Sequence, residues 1–344
     1  MTSINAVKFN DRSGLMICDE QRGWNDEGLK INTADKIKPI IPDEITARYG
    51  LIASYGNTGT SSIGDELKFT IHQEIAKEFE QRCNAHGGPP DEFMTMAEVA
   101  DLIFRVQTRM KRSHIDQTLL GRYGFTANDY CRGYYQKDGR KIDIKNADIL
   151  SEIEASLVWK DRKGEMTSIF LNGGITAGYE PREGFRIFAF SLIDFYYEPV
   201  QEAFLADGSG RDLATIVFTD YLNAKTVPER RGDLDPVDAT IAALEAVNAA
   251  VRFNLGVDGY FNIILFDGAA DVPGRMREIN DHRAKLASEI VSAYHFRLIG
   301  EAATRELVDA LLFKDNDFTE INERLMSAAA DAQHLKRFLR GYRV

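Results

Sequence analysis

Thr2-Ser3-Ile4-Asn5-Ala6-Val7-Lys8-Phe9, then Asn10-Asp11-Arg12-Ser13, then Gly14-Leu15-Met16-Ile17-Cys18-Asp19, sets two short apolar runs around a polar tetrapeptide. Residues 3–9 and 14–19 read as strands joined by a turn. Two further apolar runs follow, Ile37–Ile41 and Leu51–Tyr55, with no helical pattern between them. The period then changes. Ile63, Leu67, Ile71, Ile75 and Phe79 recur every four residues and stack along one helical face. Thr60, Ser61 and Ser62 offer N-cap oxygens, and Asp65 and Glu66 suit the positive end of the helix dipole. After the breaker His86-Gly87-Gly88-Pro89-Pro90, a second helix fits Met96–Met110, and the polar, Gly-interrupted residues 113–150 read as part of an insertion. Strand signals return at 153–159, 166–172 and 185–191. Helices follow near Leu213–Leu222 and from Asp235-Pro236 to Val251, the proline suiting a first helical position. Tyr260–Phe266 is a final apolar strand, and 276–296, 300–313 and 318–340 read as helices.

Strands and helices thus come in blocks, where βαβ alternation would have implied a parallel sheet. The expectation is an α+β chain: two antiparallel sheets face to face with helix pairs outside, a four-layer αββα sandwich. It places a core at 2–268, a helical insertion at about 84–150, and a C-terminal helical extension at 269–344.

Composition narrows the function. The 344 residues are 44% hydrophobic and 28% charged, ordinary for a globular protein. The 53 acidic against 42 basic residues give a net charge of −11, with no basic stripe for nucleic acid. Cys18, Cys83 and Cys131 lie far apart, and the six histidines show no ligand spacing, so neither a disulfide framework nor a metal or other cofactor is expected. No apolar run reaches bilayer length and the start lacks a signal-peptide pattern, so the expectation is no membrane and a cytoplasmic setting.

Thr2 is the first candidate for chemistry. Met1 is expected to be removed before so small a residue, which leaves Thr2 with a free α-amine. A threonine hydroxyl is a weak nucleophile and needs a base. Its own amine, with an ordinary pKa of about 7.7–8.0, is partly neutral near pH 7 and can serve.

Thr2–Phe9, the turn and Gly14–Asp19 together resemble the opening of proteasome β-subunits, N-terminal-nucleophile hydrolases in which a leading threonine begins a strand and an aspartate closes the next. The resemblance is closer still to Anbu, the bacterial proteasome-like family, whose members also begin Met-Thr. It implies that Asp19 holds a lysine beside the threonine. Lys36, just before the third strand, is preferred; Lys38, two residues on along the same strand, competes. Gly56, in Ala53-Ser54-Tyr55-Gly56-Asn57-Thr58-Gly59-Thr60, matches the turn glycine whose N–H lines the oxyanion hole, and a helix N-terminus there suits developing negative charge. Ser209, in Asp207-Gly208-Ser209-Gly210-Arg211, matches the serine of the family's Gly-Ser-Gly turn. In Val251-Arg252-Phe253-Asn254-Leu255-Gly256-Val257, Asn254 and Val257 stand where β-subunits carry an aspartate and a serine. The implied catalytic set is Thr2, Asp19, Lys36, Gly56, Ser209 and Asn254, acting on a peptide or protein substrate in a homo-oligomeric ring or spiral. Transfer of the acyl group to an amine instead of water stays open, as does a catalytically silent ring subunit.

Overall fold

The computed structural model describes residues 2–24, 29–31, 35–144, 158–160, 166–168, 172–191, 196–253, 257 and 261–339. The chain opens with β1 (Ile4–Lys8) and β2 (Ser13–Asp19), then the short pair β3 (Arg22–Trp24) and β4 (Leu29–Ile31), and β5 (Ile37–Pro39). Helix α1 (Asp43–Tyr49), β6 (Ile52–Gly59), α2 (Ser61–His86) and α3 (Met96–Tyr123) follow. Next come α4 (Ala127–Arg132), the hairpin β7 (Tyr134–Lys137) and β8 (Arg140–Asp143), and the pair β9 (Val158–Lys160) and β10 (Met166–Ser168). Strands β11 (Asn172–Glu180), β12 (Gly184–Ser191), β13 (Tyr196–Pro199) and β14 (Phe204–Asp207) lead to helices α5 (Arg211–Asn223), α6 (Val227–Arg230) and α7 (Pro236–Phe253). Strands β15 (Phe261–Asp267) and β16 (Met276–Ile279) precede α8 (Asp281–His295), α9 (Glu301–Val308), α10 (Phe318–Ala328) and α11 (Ala332–Phe338).

The class is mixed α and β with antiparallel sheets. Two sheets have five strands each, in the orders β14-β1-β2-β15-β16 and β13-β12-β11-β6-β5. Side-chain alternation along the strands sorts three clusters. Ile4, Ala6, Met16, Cys18, Ile264 and Phe266 of the first sheet share one with Ile52, Ile175, Ala177, Phe185 and Ile187 of the second. Val7, Leu15, Ile17, Ile263 and Leu265, which alternate with those residues, pack with helical side chains such as Phe218, Val247, Leu286 and Leu311. Ala53, Tyr55, Phe188 and Phe190 pack against Leu67, Ile71, Ile103 and Val106 of α2 and α3.

Several elements differ from the sequence reading. Helix α1 interrupts the opening run of strands. It has only seven residues and buries only Ile45, too few turns to print a period, and Gly50 ends it in the left-handed conformation at φ 66°. Helix α3 continues past Met110 to Tyr123, thirteen residues further than read. Strand β14 was not expected. Residues 276–279 form an edge strand on β15, and α8 starts only at Asp281, where Asn280 caps it by accepting the His282 N–H at 2.9 Å. Residues 153–157 and 169–171 of the expected strands lie outside the described residues. The α7 start is as read: Asp235 Oδ1 accepts the N–H groups of Val237 and Asp238, each at 3.0 Å, ahead of Pro236. The helices after residue 280 bury Ile290, Leu307, Leu311 and Ile321 in the chain's own cluster beneath the first sheet.

Candidate functional site

The register of the first sheet brings three segments to one place. Ile4 stands opposite Asp207 of β14 on one side and Cys18 of β2 on the other. Moving back along β1, Ser3 and Thr2 must therefore meet Asp19 and the turn after Asp207. They do. The Asp19 N–H donates to the Ser3 carbonyl at 3.2 Å, and the Gly210 N–H donates to the Thr2 carbonyl at 3.2 Å.

Thr2 is half-buried and held through its main chain. Its nitrogen donates to Ser209 Oγ at 3.1 Å, and Ser209 Oγ donates to the Thr2 carbonyl at 3.3 Å. Gly208 makes this closeness possible. It sits at φ 92°, and a Cβ there would lie 2.2 Å from the Thr2 oxygen.

Asp19 is fully buried at the end of β2. Its Oδ1 accepts the Ser3 N–H at 2.7 Å and the Lys36 ammonium at 2.8 Å. The carboxylate thus ties Lys36 to the residue beside Thr2. With both members buried, the pair is balanced: removing either charge strands the other in a medium of low polarity. Lys38 makes a different pairing. It meets Asp35 at 2.8 Å with its side chain 47% exposed, whereas that of Lys36 is 7% exposed. Two-residue periodicity does not carry from Lys38 back to Lys36, because β5 begins at Ile37.

Gly56 is placed otherwise than expected. Strand β6 runs on through Gly59, so Gly56 stands mid-strand between Ile37 of β5 and Ile175 of β11. There the two ladders flank its main chain. A Cβ on Gly56 would come within 2.7 Å of Ile37 and 3.1 Å of Ile4, so the glycine lets the two sheets approach. The residue of that strand that reaches the Ser209 turn is instead Thr58. Thr58 Oγ1 donates to Asp207 Oδ2 at 2.7 Å, while Asp207 Oδ1 accepts the Gly208 N–H at 2.7 Å. Asp207 is therefore a strut between the sheets that shapes the turn holding Thr2. Helix α2 starts two residues after Gly59, with Thr60 at the N-cap position but making no side-chain capping bond.

The sequence reading missed Thr58 and Asp207 in this arrangement, and also Ser3, whose N–H is the link to Asp19. The register of β1 against β2 could have located Ser3; no local pattern marks the Thr58–Asp207 contact. Asn254 lies outside the described residues. Val257 is buried, 1% exposed.

Two neighbours have shifted titration. Burial, then repulsion from Asp281 and Asp35, pushes the Glu20 carboxyl up to about 7, although Lys36 pulls it down. Burial likewise raises the Cys18 thiol well above its ordinary range. Among the described residues no group of three or more His, Cys, Asp or Glu is placed to hold a metal ion, and no helix is long and apolar enough to cross a membrane. A cleft of about 190 Å³ opens elsewhere, between charged residues of α2 and α3 including Glu74, Lys77, Arg105 and Arg109, well along both helices from the Thr2 turn.

Compared with known proteins, the chain matches no family model and no curated protein.

Proposed function

We propose that the chain is an amide-bond hydrolase of the N-terminal-nucleophile type, with Thr2 as nucleophile once Met1 is removed. The two facing sheets and their outer helices are read as the four-layer αββα sandwich of that class. One observation carries the reading: Asp19 Oδ1 joins Lys36 to the Ser3 amide, while Ser209 bridges the nitrogen and carbonyl of Thr2.

In this mechanism Thr2 Oγ attacks a peptide carbonyl and its α-amine takes the hydroxyl proton. The Lys36 ammonium opposes a second positive charge on that amine and so holds it neutral at lower pH than an ordinary terminus. Ser209, already bonded to the Thr2 nitrogen, relays the proton toward the leaving amine. Water then opens the acyl-threonine ester and regenerates the hydroxyl. The donor to the oxyanion is assigned to the junction of β6 and α2 around Gly59, at the positive end of a long helix, in place of Gly56. A peptide or protein substrate, self-association and a cytoplasmic setting belong to this reading through the resemblance to proteasome-like chains.

The test uses a peptide epoxyketone, whose adduct requires both a hydroxyl and a free amine on one residue. Protein shown by intact mass to lack Met1 should gain one adduct mass at Thr2, and Thr2→Ala should gain none while keeping its circular dichroism. Turnover retained by Thr2→Ala ends the proposal. A second reading, a silent assembly subunit, is favoured by buried Val257 standing where proteasome β-subunits carry a serine. Absence of the adduct in Met1-free protein selects it.

A further inference from the structure

Lys68 of α2 is buried, 4% exposed, on the helix face that also carries Ile71 and Ile75. An ammonium in such a place is costly unless its three donors are met. Here it donates to the Asp35 carbonyl at 2.7 Å and the Lys36 carbonyl at 3.4 Å, and it pairs with Asp65 Oδ1 at 3.2 Å. Strand β5 is an edge of its sheet, so the carbonyls just before it have no ladder to fix them. Asp35 is pinned from its other end as well: Asn262 Nδ2 donates to its Oδ1 at 3.0 Å and Lys38 meets its Oδ2 at 2.8 Å.

We infer that Lys68 is a positioning residue for Lys36: by holding the Asp35 and Lys36 carbonyls from α2, it fixes the backbone from which the Lys36 ammonium reaches Asp19. The inference rests on the reading of Lys36 as the cation that works beside Thr2. Nothing in it requires Lys68 to touch substrate. Loss of its donors frees two carbonyls at the edge of the sheet, and the segment can turn to solvent and take Lys36 with it.

The experiment is nuclear magnetic resonance of side-chain ammonium groups in the full chain, comparing wild type with Lys68→Met. A buried, carboxylate-bonded ammonium exchanges its protons slowly, so the Lys36 signal, assigned by its loss in Lys36→Met, should be visible in wild type. It should broaden beyond detection in Lys68→Met while circular dichroism is unchanged. In parallel, the epoxyketone adduct should form roughly 10- to 100-fold more slowly in the variant, the scale of a misplaced catalytic group, with the acid limb of its pH profile moved upward. An unaltered Lys36 signal in folded Lys68→Met overturns the inference. Should that variant not fold, Lys68→Gln, which shortens the donor but keeps polarity, is judged by the same signal. Failure of wild type to form the adduct counts against the hydrolase reading alone, because the Lys36 signal still decides the role of Lys68.

Discussion

Asp19 and Glu20 are consecutive carboxylates with opposite fates. Asp19 has the Lys36 ammonium and the Ser3 amide on one oxygen. Glu20 is buried, its Oε2 has no hydrogen-bond partner among the described residues, and Asp281 and Asp35 are acidic neighbours. Asp19→Ala should therefore destabilise the chain by about 3–5 kcal/mol, since it leaves a buried ammonium uncompensated; urea denaturation checks this. Glu20→Gln should do the reverse at alkaline pH. A carboxyl whose folded pKa stands near 7, above its unfolded value, keeps its proton longer in the folded state. Wild type thus loses stability as pH rises from the ordinary carboxylate range through about 7, while the amide does not. Thermal melts at pH 8 should show Glu20→Gln melting a few degrees above wild type, the gap closing near pH 4. The pairing of Asp19 with Lys36 came from the resemblance to proteasome-like chains; the local pattern gave only a charge at the boundary of each apolar run. The unusual state of Glu20 was not legible in sequence, because it depends first on burial and then on Asp281 and Asp35, which only the fold brings near.

Among elements, the junction of β6 with α2 carries the most weight. Its length was misjudged: a continuous strand through Gly59 moves the turn three residues beyond Gly56, and the flat run Gly56-Asn57-Thr58-Gly59 has no apolar alternation to show it. Long-period features fared better. The four-residue repeat of α2 and the Asp235-Pro236 start of α7 correspond to helices, whereas α1, seven residues between Pro42 and Gly50, was too short to show a repeat. Thr58→Val tests the strut from β6 to the Ser209 turn. Valine keeps the branched shape and strand preference but leaves Asp207 Oδ2 without this donor, at a cost of about 1–3 kcal/mol. The expected outcome is a lower denaturation midpoint together with slower adduct formation at Thr2, because the turn that holds Thr2 is no longer braced. An unchanged adduct rate would detach the strut from the site.

For the whole molecule, the helices after residue 280 are part of one apolar cluster with β1, β2 and β15, and Arg305 ties α9 to the start of α7 through Asp235, at 2.8 Å, and Asp238. Cutting the chain after Gly268 should expose Ile263 and Leu265 of β15 and the side of α7 that packs on α8, while α7 still covers β2. The truncated protein is expected to be insoluble or to bind a hydrophobic dye strongly, and a soluble, cooperatively melting fragment would contradict this. The second sheet treats its borders differently. Both outer strands are short, and each finishes at a proline, Pro39 in β5 and Pro199 in β13. The Ile40 N–H bonds inward to Ala53 at 3.0 Å, so the antiparallel alternation turns Pro39 outward, where it has no hydrogen to offer. A stray extended peptide drifting against that rim finds a missing rung on the ladder. Copies of this chain crowded together are accordingly poor templates for one another along that side, and fibre-like zippering has little to grip.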